Sequence, residues 1–240
     1  MIDTKIVYVA NIFVNNDILP NAKNITYFAN EFADKGLVPT IFKQTTNLQT
    51  QNRLQLSSPN GEWIVRFLSD RIDIVKSAKS FNTNIGEFEE FCQNAVDIWQ
   101  KINKEYKKTA NRIGITSTVL LKEMSEDNIH KIFKKIFIPI PLFDLDKPIS
   151  WENELVSRVS KLILNDNELI NITVNLQRVQ GRFKETDSIT EFDRVQLTLH
   201  FNTISENTEY RFKDDAIIDF LKSGSTWQSE LSNAILNHIS

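Results

Sequence analysis

Residues 61–76 read GEWIVRFLSDRIDIVK, and how they sit in a sheet decides the fold. Two apolar runs flank a tight Ser69-Asp70 turn. In the second run Ile72 and Ile74 alternate with Arg71 and Asp73, the period of a half-exposed strand. In the first, Trp63, Val65 and Phe67 line one face, but Ile64 and Leu68 put apolar groups on the other, with only Arg66 between them. A strand apolar on both faces is ordinarily covered on both. A long aromatic helix downstream can cover one. The second half of the chain is expected to cover the other, with a separate protein as the less common answer. Arg66 then reaches water on an apolar stem or enters a buried pair.

Outward from this stretch, Arg53 to Ser57 and the turn Ser58-Pro59-Asn60-Gly61 complete a meander. Lys5 to Val14 and Leu37 to Gln44 are rich in branched and aromatic residues and read as strands. Between them Tyr27, Phe28 and Phe32 have helical spacing, with Asn24 as start and Gly36 as stop. The clearest helix is Gly86 to Lys107, with Phe88, Phe91, Ala95, Trp99, Ile102 and Tyr106 on one stripe. Asn84 and Glu87 suggest a capping box at its start. Arg112 to Leu121 reads as a strand and Ser125 to Phe137 as a helix.

The segment Ile138 to Pro148 holds three prolines and is the candidate boundary between two subdomains, 1–137 and 149–240, of one compact domain. Leu155 to Leu164 fits helix or strand, and strand is preferred. Ile170 to Val179 and Val195 to Ile204 alternate cleanly, as half-buried antiparallel strands do. Helices are expected at about 213–222 and 226–239, separated by Gly224. The expected class is α+β, an antiparallel sheet with packed helices. Each half has strands followed by helix, a weak sign of duplication.

The totals exclude several function classes. The 240 residues are 41% hydrophobic and 25% charged, ordinary for a globular chain, and the net charge of −3 disfavours general polyanion binding. The single Cys92 excludes an internal disulfide framework. No run approaches a membrane span and the N-terminus lacks the pattern of a signal peptide, so a cytoplasmic protein away from membranes is expected. Only six glycines leave little material for phosphate-cradling loops.

The run EWIVRFLSDRIDIV, the helix opening GEFEEFCQNAVDIW and the strand RIGITSTVLL together resemble a sporadically distributed family of uncharacterised bacterial proteins of about 250 residues. The matching positions are Asp70, Arg71, Phe88, Phe91, Trp99, Arg112 and Gly114, within about Glu62 to Leu121. The chain departs from that pattern at Thr116 and Ser117. The resemblance implies no catalytic residue. It implies an accessory role of the kind found in bacterial defence, antiviral or toxin-related systems.

Candidate chemistry is sparse. His130, His200 and His238 lie on different elements with no metal-ligand spacing, so no metal and no cofactor is expected. Cys92 lies on the aromatic stripe and reads as a core thiol rather than a nucleophile. The outward positions of two strands, Asn171, Thr173 and Asn175 on one and Gln196, Thr198 and His200 on the next, form a carpet of uncharged hydrogen-bonding groups if those strands pair. Such a carpet is commonly just a solvated face, and it lacks the carboxylate or nucleophile that catalysis needs. Residues 101–136 carry nine basic against four acidic side chains, net +5.

The leading reading is a non-enzymatic interaction protein that binds a partner protein or itself through Arg66, Asn171, Thr173, Asn175, Gln196, Thr198 and His200. The alternative is nucleic-acid or nucleotide binding through Lys104, Lys107, Lys108, Lys131, Lys134 and Lys135.

Overall fold

A computed structural model describes residues 1–46, 48–80, 83–138, 141–184 and 189–240. In chain order the elements are β1 (Ile2–Val14), α1 (Ala22–Glu31), a 3₁₀ turn (Ala33–Lys35), β2 (Val38–Thr46), β3 (Gln49–Ser57), β4 (Trp63–Phe67), β5 (Ile72–Ser77), α2 (Phe88–Tyr106), β6 (Ala110–Leu121), α3 (Glu126–Ile136), α4 (Leu142–Leu145), β7 (Glu152–Ile163), β8 (Asp166–Lys184), β9 (Ile189–Thr203) and α5 (Asp214–Ile239). The strands form one sheet in the order β2-β3-β4-β5-β1-β6-β9-β8-β7, with every neighbouring pair antiparallel. The fold is α+β.

The order is nearly symmetric about the central pair β1–β6. Outward from β1 come β5, β4, β3 and β2; outward from β6 come β9, β8 and β7. Each side is a strand, a helix, a meander and a long helix. Topologically the sides meet at the α2–β6 connection, residues 107–109. The proline-containing segment 138–148, of which residues 139–140 lie outside the described chain, falls within the second side, between α3 and β7.

All the long helices lie on one face. Tyr8, Ala10, Ile12 and Val14 of β1 point into the same apolar core as Val65 and Phe67 of β4, Ile113 and Ile115 of β6, and Leu197, Leu199 and Phe201 of β9. Tyr8 meets Phe88 and Phe91 of α2 edge-on and tilted, and Trp63 stacks on Phe91 with centroids 5.7 Å apart. On the other side Phe201 packs on Trp227 of α5. Contrary to the expectation from the sequence, the second half therefore does not cover the face bearing Ile64 and Leu68. β1 and β6 pair edge to edge from Ile2↔Leu121 to Val14↔Ala110, so the second half lengthens the sheet instead of layering on it.

Local chemistry explains the element ends. Asn21 caps α1: its side chain accepts from the Asn24 N–H at 2.9 Å, so the cap lies one turn before the expected Asn24. The expected capping box of α2 does not form. Glu87 takes the cap position without a side-chain bond, and Asn84 accepts instead from the Gly86 N–H. α2 ends at Lys107, whose φ of 49° is left-handed, and the Asn103 side chain accepts from the next N–H at 2.6 Å. The C-terminal segment is one helix, not two. Gly224 lies inside α5, where an added Cβ would come 2.1 Å from Cδ1 of Ile115, so the glycine marks a close helix–strand crossing. The hydroxyl of the next residue, Ser225, donates to the Lys222 carbonyl within the helix.

Candidate functional site

The helix-free face of the sheet holds all seven predicted partner-binding residues. Pairing places them in two rows across the strands. One row runs Thr40, Gln55, Arg66, Asp73 and Asn11 across the first half, and Gly114, Asn202, Asn171 and Arg158 across the second. The adjacent row is Ser57, Ile64, Val75 and Val9, then Thr116, His200, Thr173 and Val156. Thr198, Asn175, Gln196 and Gln177 continue the polar half. Near β4, β5 and β1 the apolar row Ile64, Val75 and Val9 thus lies beside the polar row Arg66, Asp73 and Asn11, whereas near β9 and β8 the face is amide- and hydroxyl-rich.

Many of these polar groups bind each other. Arg66, exposed, donates from Nε to Oε1 of Gln55 at 3.2 Å. Asn11 and Arg71 both donate to Oδ1 of Asp73, at 2.6 and 2.9 Å. The Thr118 and Thr198 hydroxyls are 3.2 Å apart, and Arg158 donates to Asn171 at 2.8 Å. Asn175 donates to Glu152. Two arginines, Arg71 and Arg112, lie over the ring of Phe13 at 5.7 and 4.9 Å.

His200 crosses Gly114, where an added Cβ would sit 3.3 Å from Nε2. Burial and then the nearby Arg112 charge hold its imidazolium pKa below the usual value, favouring the neutral ring.

The residues that sequence reasoning missed are Val9, Asn11, Asp73, Val75, Thr116 and Thr118. Their alternation was readable, but their neighbours depend on β1 being central and lying between β5 and β6, which no local signal gives.

The basic segment is divided. Lys108 bridges to Asp17 and Lys104 to Glu31, where β1 ends at Val14. Lys107 is the C-cap residue of α2. Lys131, Lys134 and Lys135 lie on α3 beside Met1 and Ser240, near the opposite end of β1. Lys135 donates to the Ser240 carbonyl and Lys131 to Asn128. The intervening strand β6, at about 3.4 Å per residue, keeps the two groups at opposite ends of the sheet.

Cys92 is buried in the core, as the stripe implied, and burial followed by the Glu89 charge pushes its thiol up to about 12. Among the described residues no three His, Cys, Asp or Glu side chains gather as a metal-holding group. No described helix is long and apolar enough to cross a membrane. No family model, curated protein or solved structure matches the chain.

Proposed function

We propose that this chain is a non-enzymatic interaction protein that docks a partner protein on the helix-free face of its sheet. One observation carries the reading: Ile64, Val75 and Val9 form an apolar stripe on a face that no described helix covers, continuous with the polar groups of β9 and β8. A patch of this kind, an apolar centre with a hydrogen-bonding flank, has the composition of a protein interface. An accessory role in a bacterial defence or toxin-related system fits an interaction component and rests on the family resemblance alone.

The test is association of the protein isolated at mild salt from its own host. The paired change Val9→Lys and Val75→Lys should abolish the complex seen by native mass, while His200→Gln and Asn175→Ala should weaken it. Circular dichroism and the melting temperature show whether each variant is folded. Full complex formation by a folded Val9→Lys/Val75→Lys protein would refute the reading. The nucleic-acid alternative predicts steep salt dependence and loss of binding on charge reversal at Lys104, Lys108, Lys131 and Lys135.

A further inference from the structure

At the outer corner of the helix-free face, the β2–β3 hairpin and the β4–β5 turn enclose a pocket of about 340 Å³ lined by Gln44, Thr46, Gln49, Gln51, Arg53 and Ser69. The pairs Gln44↔Gln51 and Thr46↔Gln49 put both strands' contributions on one face. Among its described lining residues the pocket has a positive charge and no carboxylate.

Arg53 is 6% exposed, and among the described residues its guanidinium makes one hydrogen bond, from Nη2 to Oε1 of Gln51 at 3.0 Å. Its Nε is buried and has no hydrogen-bond partner. Nearby Arg71, by contrast, bridges to Asp73 at 2.9 Å. A guanidinium has five N–H donors and stays charged at any physiological pH, so burying it with one acceptor leaves a strong unmet demand for an anion. The opposite wall is set in advance. Gln44 donates to the Ser69 hydroxyl at 3.2 Å and accepts from the Ser69 N–H at 3.1 Å, which fixes the amide.

We propose that this pocket binds a small oxyanion, a phosphate or carboxylate group. Its oxygens accept from the Arg53 guanidinium where that group lines the pocket, the charge-assisted bonding that guanidinium favours. The Thr46 and Ser69 hydroxyls and the Gln49 and Gln51 amides supply further donors around it. The site stands independently of the partner-docking surface, since it needs neither the apolar stripe nor the β8 and β9 carpet.

The experiment is an NMR titration of the ¹⁵N-labelled full chain with inorganic phosphate and, separately, with acetate, ionic strength being held constant with sodium chloride. Saturable shifts confined to residues 44–53 and to Ser69 are expected. Arg53→Gln should weaken binding about tenfold or more, the loss of a charged hydrogen-bonding group. Arg158→Gln, on the same face but far along the sheet, should leave it unchanged. If Arg53→Gln does not fold, Gln44→Ala serves as the second variant and should weaken binding several-fold. Saturation by phosphate alone assigns phosphoryl ligands, and saturation by acetate alone assigns carboxylates; either supports the site. Unsaturable shifts spread over the surface, or unchanged affinity in folded Arg53→Gln or Gln44→Ala, would overturn it.

Discussion

Replacing Gly224 with alanine adds one methyl where α5 crosses β6. In an exposed helix interior that change stabilises by about 0.8–1 kcal/mol, because glycine loses more backbone freedom on folding. Here the new Cβ would lie 2.1 Å from Cδ1 of Ile115, and the next atom, Cγ1, is 3.4 Å away. Cδ1 can swing about its last torsion, but Ile115 is fully buried, and a close-packed core leaves little room for that swing. Overpacking of this kind costs about 1–3 kcal/mol. The net effect of Gly224→Ala should be a loss of about 1 kcal/mol.

Ile115→Val removes the obstructing Cδ1 and by itself should cost about 1 kcal/mol. In the valine background the alanine clashes with nothing closer than ordinary contact, so its helix gain returns and the double variant should be near wild type. The cycle then gives a coupling of about 2 kcal/mol, well above the scatter of independent sites. Urea unfolding at 25 °C measures it, with an unchanged slope confirming that only stability moved. Single-variant losses that add to within about 0.5 kcal/mol would refute the crossing as the reason for the glycine.

Three further outcomes are expected. The depressed pKa of His200 means the unfolded chain takes up a proton more readily, so the stability His200 contributes is present above about pH 6.5 and is lost as pH falls through the folded value; melting curves from pH 8 to 5 should be flatter for His200→Gln than for wild type, and coincident slopes would contradict this. Arg178, with its side chain 5% exposed, donates twice to Asp193 and once to the Pro148 carbonyl, so Asp193→Ala should cost about 2–3 kcal/mol in urea unfolding, less than a fully buried pair because Asp193 is 35% exposed. Cys92 should resist a water-soluble disulfide reagent in native buffer and react fully in urea; complete labelling of the native protein within seconds would place the thiol elsewhere.

Periodicity carried much of the fold. The aromatic stripe of α2 and the clean alternation of β8 and β9 are local patterns, and the structure holds them where expected. The strand preference for 155–164 also follows from composition and turns, and β7 spans Glu152–Ile163. What failed was the inference from Ile64 and Leu68. Two apolar faces implied two layers, but whether a second half stacks or extends a sheet depends on β1 pairing with β6, a contact between strands a hundred residues apart. Gly224 misled for a related reason, since a glycine that ends a helix and one that admits a neighbour look alike in one sequence. The face of Arg53 was legible, because Leu54 and Leu56, the alternate positions that follow it, turn inward. Its pocket was not, because Ser69 reaches it from a different turn.

Neighbouring strands in a twisted sheet rotate by about 20–25° each. Arg66 on β4 and Thr173 on β8 are five strands apart, so about 24 Å of lateral distance carries roughly 100–125° of rotation. The stripe at β4 and β5 and the amides of β8 therefore look in very different directions. A flat, rigid partner could rest on the central strands β5, β1, β6 and β9, but could not also reach Arg66 and Thr173. Contact with both requires a partner that bends around the sheet, or two partners, each meeting its own half.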